Sequence, residues 1–463
     1  MAPLEDWLGG NLFPWQHWAN LQPRATAIRS GSQRISWQQL ATEIDNLAAG
    51  FQQQGVIPGC SIVLRGKNSD SLLLAYLAAL QCGARVLPLN PQLPEPLLAQ
   101  LLPQLAIDFM LNFAEPLPAQ LSFIPLDFNT ESGVPDFVNW DSQRLATMTL
   151  TSGSSGLPKA AVHTLAAHLA SAHGVLRLMN FTANDSWLLS LPLFHVSGQG
   201  IVWRWLSAGA GLVMQAGMPL SDALVGCSHA SLVPTQLWRL LASTDQALTL
   251  KEVLLGGATI PTALTAQAEA RGVRCWCGYG LTELASTVCA KRADGLPGVG
   301  IPLERRQVKL VDGEVWVKAD CLAAGYWRQG QLQPITDSDG WLHTRDRGEW
   351  RQGELRILGR LDNLFFSGGE GIQPEDIERV LLQYPGVQQA FVIPVADTEF
   401  GQRPVAVIDA DNAVDDTVLA NWLAPQLAIF QRPVAFYRLP VELKNGGIKI
   451  SRRSVADWVV TLN

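Results

Sequence analysis

The stretch that decides the fold is Thr151-Ser152-Gly153-Ser154-Ser155-Gly156-Leu157-Pro158-Lys159-Ala160. The apolar run before it, 145–150, is typical of a buried strand, and the pattern of 164–179 predicts a helix after it. Glycines let the backbone approach a ligand closely, and the N–H groups and hydroxyls of such a turn can bind a phosphate. The stretch therefore predicts a phosphate-binding turn on the way from a strand to a helix.

The same stretch does not fit the P-loop pattern GxxxxGK[ST]. Gly153 and Gly156 have the wrong spacing, and Pro158 separates the second glycine from Lys159. Taken alone, it could equally be a glycine- and serine-rich surface turn. The decision depends on the rest of the chain.

Composition and charge exclude several classes of protein. The 463 residues predict about three structural units at roughly 150 residues each. A net charge of −7, from 34 basic and 41 acidic residues, argues against a dedicated nucleic-acid-binding protein. The N-terminus carries no secretory pattern, and the apolar run 72–80 is shorter than the roughly 20 residues of a bilayer span. We therefore expect no membrane insertion.

The cysteines and histidines point to no structural metal. Seven cysteines without a CxxC pair predict reduced thiols and a cytoplasmic location. His163, His168 and His173 follow one another at five-residue spacing, so on a helix successive side chains would point about 140° apart. We do not expect these histidines to share a metal ion.

The order of apolar segments predicts an α/β fold. Up to about residue 290, short strand-like runs alternate with helical segments, which predicts largely parallel sheets covered by helices. The strand candidates are 61–65, 85–89, 108–111, 145–150, 186–191, 231–234 and 253–255, and the helix candidates include 94–102 and 261–271.

The pattern changes after residue 299. Period-two alternation around Asp312-Gly313 and around Gln352-Gly353 predicts two hairpins, and hence a small antiparallel β unit over about 299–360. A compact α+β segment follows. We predict a large N-terminal domain, 1–361, that includes this β unit, and a small mobile C-terminal domain, 362–463, with a short hinge at 361–363.

Further polar segments stand at the ends of predicted strands. Gly278-Tyr279-Gly280-Leu281-Thr282-Glu283 offers an aromatic ring, a hydroxyl and a carboxylate suited to Mg²⁺. The alternative is a turn with Thr282 as a helix N-cap. Three more polar segments follow: Thr344-Arg345-Asp346, Gly359-Arg360-Leu361-Asp362 and the lysine-bearing glycine segment 444–452. Their alternatives are, in the same order, a surface turn, a surface salt bridge and a solvated tail.

Taken together and in order, these motifs resemble the adenylate-forming superfamily of acyl- and aryl-CoA synthetases, adenylation domains and luciferases. The resemblance covers nearly the whole chain and implies binding of ATP, Mg²⁺ and CoA. It implies an ATP-phosphate loop from Thr151 to Lys159, with Ser152, Gly153, Ser154, Ser155 and Gly156 between them. It places Gly256, Gly257, Ala258, Gly278, Tyr279 and Gly280 around the adenine, Thr282 at the α-phosphate, and Glu283 at Mg²⁺.

The resemblance also assigns residues in the C-terminal part of the chain. Asp346 would hold the ribose hydroxyls with the help of Arg360, and Asp362 would be the hinge. Gly368 and Gly369 would line the tunnel for the pantetheine arm of CoA. Lys449 would be the mobile catalytic lysine, with Lys444 as the alternative.

The chain departs from the family pattern at four places. Ser155 stands where threonine is usual, Ala160 and Arg345 stand where glycine is usual, and the terminal motif reads Gly-Gly-Ile-Lys. None of these changes removes a functional group that the chemistry needs. Only the alignment that selects Lys449 over Lys444 depends on them.

The acid pocket is expected between residues 190 and 290. His195 would gate it, and Arg204, between Trp203 and Trp205, would either extend its charge to solvent or meet a second carboxylate of the substrate. Several segments, such as 191–200 and 444–452, resemble the acid–CoA ligases of menaquinone biosynthesis. That resemblance implies an aromatic dicarboxylate substrate contacted by Ser197, Arg204, Ser231 and Thr287.

Several alternatives remain open from the sequence. Another acid, such as a benzoate or a medium-chain acid, would use the same fold, and a nucleotide-binding homologue that has lost catalysis is the alternative of a different class. No segment matches a carrier-protein attachment site, so CoA is expected as the acceptor. The oligomeric state is not determined, and a homo-oligomer is one alternative.

Overall fold

The computed structural model describes residues 10–114, 123–129, 133–151, 157–215, 217–243, 249–411, 414–444 and 450–462. The chain divides into two compact units, each described by itself below. The first unit consists of Met1–Leu296, Gly300–Gln307 and Lys318–Leu342. The second consists of Pro297–Val299, Val308–Val317 and His343–Asn463.

The α-helices, numbered in chain order, are α1 Pro14–Leu21, α2 Trp37–Gln53, α3 Asp70–Gln81, α4 Glu95–Leu101, α5 Leu165–Met179, α6 Val196–Ala208, α7 Leu220–Ala223, α8 Pro234–Ser243, α9 Thr262–Ala270, α10 Pro374–Leu381, α11 Asp416–Leu423, α12 Val441–Lys444 and α13 Arg452–Val460. Short 3₁₀-helices occupy Leu102–Leu105, Thr282–Leu284, Leu361–Asn363 and Ile429–Gln431.

The strands up to the middle of the chain are β1 Thr26–Ser30, β2 Gln33–Ser36, β3 Ser61–Arg65, β4 Arg85–Leu89, β5 Phe109–Asn112, β6 Ile124–Pro125, β7 Leu145–Thr151, β8 Lys159–Thr164, β9 Ser186–Leu188, β10 Gly211–Met214, β11 His229–Leu232, β12 Glu252–Leu255, β13 Arg274–Leu281 and β14 Ser286–Arg292. The remaining strands are β15 Ile301–Pro302, β16 Arg306–Val311, β17 Glu314–Ala319, β18 Gly325–Arg328, β19 Gln331–Gln333, β20 Leu342–Arg351, β21 Glu354–Arg360, β22 Phe365–Ser367, β23 Glu370–Ile372, β24 Val387–Asp397, β25 Gly401–Ala410 and β26 Phe436–Arg438.

Two large sheets form the first unit. One has the order β15-β14-β13-β12-β11-β9-β10-β1-β2, and its strands from β13 to β1 run parallel. The other has the order β19-β18-β8-β7-β4-β3-β5-β6, with parallel pairs among β3, β4, β5, β6 and β7. Antiparallel strands complete both edges of the first sheet and one edge of the second, as expected for a largely parallel α/β domain.

Continuous apolar runs explain why the parallel strands lie inside. All five residues of β3 are buried, and ten of the twelve residues of α3 are buried as well. Side-chain caps begin the covering helices: Ser36, Ser69 and Thr164 accept hydrogen bonds from the first turns of α2, α3 and α5. The predicted strands and helices of this region are confirmed to within a few residues of their ends.

The surroundings of the phosphate-binding stretch differ from the prediction. β7 pairs with β8 in antiparallel fashion, with Thr151 opposite Lys159, so the stretch connects two strands before α5 begins. The predicted strand and helix are both present, but strand β8 between them was not predicted. The sequence did not indicate β8 because its alanines have little preference for strands. Its pairing with β7 and β18 stabilises the extended conformation.

Among its described residues, the second unit contains three small sheets and four short α-helices, α10 to α13. β16, β17, β20 and β21 form one sheet, β22 and β23 a hairpin, and β24, β25 and β26 a sheet covered by α10, α11 and α13. Residues 308–317 and 343–360 group here, whereas the sequence placed the antiparallel β unit in a domain ending at 361. The hinge at Asp362 stays a prediction.

No helix among the described residues is long and apolar enough to cross a bilayer.

Candidate active site

Parallel strands bring several of the predicted nucleotide and acid residues of the first unit to one edge of the larger sheet. β11, β12 and β13 are neighbours, so their carboxyl ends lie side by side. Such an edge is where open α/β sheets bind ligands. Ser231 lies near the end of β11, and Gly256-Gly257-Ala258 directly follows β12. Gly257 has φ +81°, which glycine adopts without strain.

Close backbone packing explains the glycines of the 278–283 motif. A β-bulge interrupts the pairing of β13 with β14 after Tyr279, and a Cβ on Gly280 would lie 1.9 Å from the carbonyl oxygen of Ser286. The chain then forms the 3₁₀-helix Thr282–Leu284. Leu281, not Thr282, occupies the N-cap position, so the alternative of a capping threonine was wrong.

Glu283 and Lys159 both contact Tyr326. The phenol of Tyr326 donates a hydrogen bond to Glu283 Oε1 at 2.7 Å. Lys159 Nζ lies 4.9 Å from the centre of the same ring. The lysine at the end of the predicted phosphate loop and the predicted magnesium ligand are therefore neighbours. Residues 152–156 of the loop lie outside the described residues.

A buried arginine organises the predicted acid pocket. Arg204 Nη1 donates to Ser231 Oγ at 3.2 Å, and Nη2 donates to Ser286 Oγ at 3.1 Å and to Thr287 Oγ1 at 3.5 Å. The guanidinium carbon also lies 5.2 Å from the ring centre of Trp187. The structure thus brings together three of the predicted acid-binding residues and adds Ser286 and Trp187.

The charge of Arg204 lacks a carboxylate partner within the described part of the chain. Its side chain is 1 % exposed, so the alternative in which it extends to solvent was wrong. Burial, with a smaller effect from the Arg306 charge, lowers the pKa of Arg204 to about 9. A buried cation among hydroxyls is stabilised by an anion that enters the pocket.

The tryptophans flanking Arg204 do not contact its guanidinium. Trp203 stacks on His168 with ring centres 5.1 Å apart, and Trp205 stacks on Trp37 at 5.2 Å. Neighbouring helical residues point about 100° apart, so both rings enter the core on other faces of α6. Trp187 is the aromatic side chain against the arginine.

The predicted gate lies at the start of the same helix. His195 is the exposed N-cap residue of α6, and Ser197 lies in its first turn, two turns before Arg204. Gly200 makes room for the arginine, because a Cβ there would lie 3.3 Å from Arg204 Nη2 and 3.2 Å from Ser286. Both predicted residues therefore share a helix with Arg204.

Asp346 and Arg360 face each other in the second unit. They are directly paired residues of β20 and β21, and Arg360 Nη1 lies 3.1 Å from Asp346 Oδ1. Arg360 Nη2 also lies 3.3 Å from Oδ2 of Asp362, the predicted hinge residue. The predicted ribose-binding pair and the hinge are thus one ion-pair network.

Arg345 joins this network from a position where glycine is usual in the family pattern. Its φ of +62° is the left-handed conformation that glycine adopts readily. Its Nε and Nη2 donate to Asp362 Oδ1 at 3.1 and 3.0 Å, and its backbone N–H donates to Glu314 at 2.8 Å. These contacts offset the strain of the backbone.

The remaining residues of the second unit have local roles that the structure explains. Gly368 and Gly369 form the turn between β22 and β23 with φ +58° and +88°, as a tight hairpin requires. Lys444 is ion-paired with Asp409 at 2.5 Å, which leaves Lys449 as the better candidate for a mobile lysine. Lys449 itself lies outside the described residues.

The donor set fits a magnesium ion held together with phosphate oxygens. Mg²⁺ is usually bound by one or two carboxylates and substrate phosphates, not by a complete protein cage. Glu283, the predicted magnesium ligand, would supply one such carboxylate, and the described residues contain no group of three or more histidine, cysteine or acidic ligands. Among the histidines, His163 lies on strand β8, not on a helix, and burial lowers its pKa to about 4.

Comparison with known proteins assigns the family. The model of the AMP-binding enzyme family matches residues 15–327, and that of its C-terminal domain matches 376–447. The 2-succinylbenzoate–CoA ligase of Salmonella typhimurium is 57 % identical over 448 residues, covering 96 % of this chain and 98 % of the relative. The Escherichia coli ligase of the same name is 56 % identical, with the same coverage.

Solved structures agree with this assignment. An arginine-to-lysine variant of E. coli MenE with bound OSB-AMS superposes with a TM-score of 0.93 at 54 % identity, covering 97 % of this chain and 98 % of that one. Bacillus subtilis MenE, solved with the acyl-adenylate intermediate OSB-AMP, has a TM-score of 0.86 at 25 % identity, with coverage of 96 % and 98 %.

Proposed function

Because this chain belongs to the AMP-binding enzyme family, we propose that it activates 2-succinylbenzoate with ATP and transfers the acyl group to CoA. The observation that carries the choice of acid is Arg204, buried among three hydroxyls with no carboxylate partner in the described residues. 2-Succinylbenzoate has a second, unreacting carboxylate on its ring. The relatives named above carry the same substrate in their names. The resemblance of segments 191–200 and 444–452 assigns this acid to menaquinone biosynthesis.

The reaction has two steps. An oxygen of the succinyl carboxylate attacks the α-phosphorus of ATP, and the bond to the leaving pyrophosphate breaks, which gives the acyl-adenylate. The CoA thiol then adds to the acyl carbon and loses its proton to solvent. AMP leaves as the carbon–oxygen bond of the mixed anhydride breaks.

The first unit supplies the groups that orient the acid and the phosphates. Arg204 binds the ring carboxylate with Ser231 and Thr287 and directs the succinyl carboxylate towards the nucleotide. Ser197 and His195 border this pocket. Thr282 binds the α-phosphate, and Thr151 and Lys159 bind the outer phosphates, where preorganised donors are most effective because charge develops there.

Glu283 would hold Mg²⁺, which supplies positive charge to the phosphates when bound. Asp346 and Arg360 hold the ribose, and Tyr279 stacks on the adenine beside Gly256-Gly257-Ala258. The Lys449 ammonium stabilises charge on the α-phosphate during the first step. Asp362 is the hinge that withdraws it for the second, when Gly368 and Gly369 admit the pantetheine arm.

Pyrophosphate release over a panel of acids tests the proposal. The panel contains 2-succinylbenzoate, benzoate, hexanoate and 4-oxo-4-phenylbutanoate, which lacks only the ring carboxylate. We expect rapid release with 2-succinylbenzoate alone and an acyl-CoA product by mass spectrometry. No preference for this acid would contradict the choice of substrate, and no acyl-AMP with any acid would indicate a homologue without catalysis.

A further inference from the structure

Tyr326 contacts both of the charged side chains that the proposed reaction needs at the phosphates. Its hydroxyl donates to Glu283 Oε1 at 2.7 Å, and its ring face receives Lys159 Nζ at 4.9 Å. The side chain is half-buried. In the chain as described, no ion pair joins Lys159 to Glu283.

Backbone contacts fix the tyrosine relative to both partners. Tyr326 lies opposite Ala161 in the antiparallel pair of β18 with β8, the strand that begins at Lys159. Three residues earlier, the N–H of Ala323 donates to the carbonyl oxygen of Glu283 at 2.8 Å. The segment that carries Tyr326 is therefore attached to the strand of the lysine and to the turn of the glutamate.

One hydrogen bond at Oε1 restricts the rotation of the Glu283 carboxylate and leaves the lone pairs of Oε2 for another partner. Without it, the carboxylate would sample several rotamers, and Lys159, which contacts the same tyrosine, would compete for it. A lysine over an aromatic face keeps its ammonium hydrogens available, because the interaction with the ring is electrostatic and worth about 0.5–1 kcal/mol at such a site.

We propose that Tyr326 is a positioning residue for adenylation. It holds the Glu283 carboxylate in place for a divalent cation and keeps it apart from Lys159, which then remains available to the ATP phosphates. This inference rests on the proposed function, in which Glu283 holds the cation and Lys159 contacts phosphate.

Tyr326→Phe tests the inference, because it removes one hydroxyl and keeps the ring. A hydrogen bond to a charged group contributes about 1.5–3 kcal/mol, which corresponds to roughly a 10- to 150-fold change in a binding constant. We expect the Mg²⁺ concentration for half-maximal pyrophosphate release to rise by roughly tenfold or more. Calorimetric titration of ATP in the presence of Mg²⁺, without any acid, should show a matching loss of affinity, and the KM for the acid should not change.

Tyr76→Phe is the matched control. Tyr76 is a buried tyrosine of the same unit whose hydroxyl accepts a hydrogen bond from Trp203 Nε1 at 3.3 Å, in the core. It should leave the Mg²⁺ dependence unchanged even if it lowers the melting temperature. In a Glu283→Gln background, Tyr326→Phe should cause no further loss of ATP affinity, since the two groups act as one.

An unchanged Mg²⁺ dependence in Tyr326→Phe, or an equal shift in Tyr76→Phe, would overturn the inference and leave the proposed function intact. A wild-type protein whose pyrophosphate release with 2-succinylbenzoate does not require a divalent cation would overturn both. A shift confined to Tyr326→Phe and absent in the Glu283→Gln background supports the positioning role.

Discussion

Replacing Arg204 by methionine separates recognition of the ring carboxylate from ATP binding and from the packing of the pocket. Methionine has nearly the length of the arginine stem and carries no charge, so Ser231, Ser286 and Thr287 keep their places while the anion-binding group is lost. We expect the variant to lose 2-succinylbenzoate and to keep ATP.

The structure sets the size of the effect. Arg204 is 1 % exposed, so a substrate carboxylate that enters its pocket is removed from water and depends on the guanidinium. Removing one partner of such a buried pair typically costs about 3–5 kcal/mol. That corresponds to a fall in kcat/KM of roughly a hundredfold to several-thousandfold for 2-succinylbenzoate.

The same substitution should stabilise the free protein. Burial lowers the pKa of Arg204 from its ordinary value to about 9, so the folded state disfavours the charged form that is present at pH 7–8. This cost is present in full below pH 9 and decreases only as the pH rises from 9 towards the ordinary pKa of an arginine. Replacing buried charges by apolar side chains often stabilises proteins by about 1–4 kcal/mol, and urea unfolding at pH 7.5 measures the difference.

The assay compares two acids in two proteins. Pyrophosphate release is measured with 2-succinylbenzoate and with 4-oxo-4-phenylbutanoate, for the wild type and for Arg204→Met. The wild type should strongly prefer the dicarboxylate, and the variant should treat both acids alike. Arg65→Met is the matched control, because Arg65 is a second buried arginine whose donors go to the carbonyls of Ala114 and Pro91 and to Asn112.

Equal losses for both acids would refute the reasoning, since the arginine would then support the pocket without recognising the ring carboxylate. An equal loss of preference in Arg65→Met would refute it as well. A rise in the KM for ATP that matches the rise for the acid would show that the whole site had collapsed.

Three further predictions concern other parts of the molecule. Lys449→Ala should abolish acyl-adenylate formation but largely spare thioester formation from supplied acyl-AMP, whereas Lys444→Ala should spare both; equal loss of both half-reactions in Lys449→Ala would contradict the two-step account. Burial lowers the pKa of His163 to about 4 from an ordinary 6.5, so the fold is most stable above pH 6.5, where this histidine is uncharged, and loses about 3 kcal/mol by pH 4. In urea unfolding, the free energy of unfolding should therefore fall less steeply with decreasing pH for His163→Gln than for the wild type. Identical slopes would contradict the assignment. Arg345→Gly should leave the melting temperature nearly unchanged, because an exposed ion pair contributes about 0–1 kcal/mol and the backbone strain is relieved. It should nevertheless change the ratio of the two half-reaction rates. An unchanged ratio would show that the Arg345 contact with Asp362 has no role at the hinge.

The elements that the sequence predicted well are those whose signal is local. β3 and β4 are short strands with apolar residues at their centres and turn residues around them, and their predicted ends match the observed ones. The motifs at 278–283 and 346–362 could be placed because each is contiguous in the chain. Arg204 could be identified because one charge interrupts an apolar helix.

Tyr326 had no such signal. It meets Glu283 across 43 residues of sequence, through the pairing of β18 with β8, which is a tertiary event. Ser286 was missed for a different reason. Adjacent strand residues normally point to opposite faces, but Ser286 has φ +121° beside the bulge, so Ser286 and Thr287 both reach Arg204. Neither fact is encoded in a short pattern.

The ion-pair network of Asp346, Arg360, Asp362 and Arg345 has a thermodynamic consequence. Arg360 divides its guanidinium between the proposed ribose-binding carboxylate and the proposed hinge carboxylate. A nucleotide that draws Asp346 towards its ribose changes what Arg360 contributes to Asp362. Because coupling free energies are reciprocal, the factor by which nucleotide binding changes the hinge equilibrium equals the factor by which a hinge movement that releases Asp362 changes the nucleotide affinity. The departure of AMP and the reorientation of the chain at residue 362 would then be thermodynamically coupled.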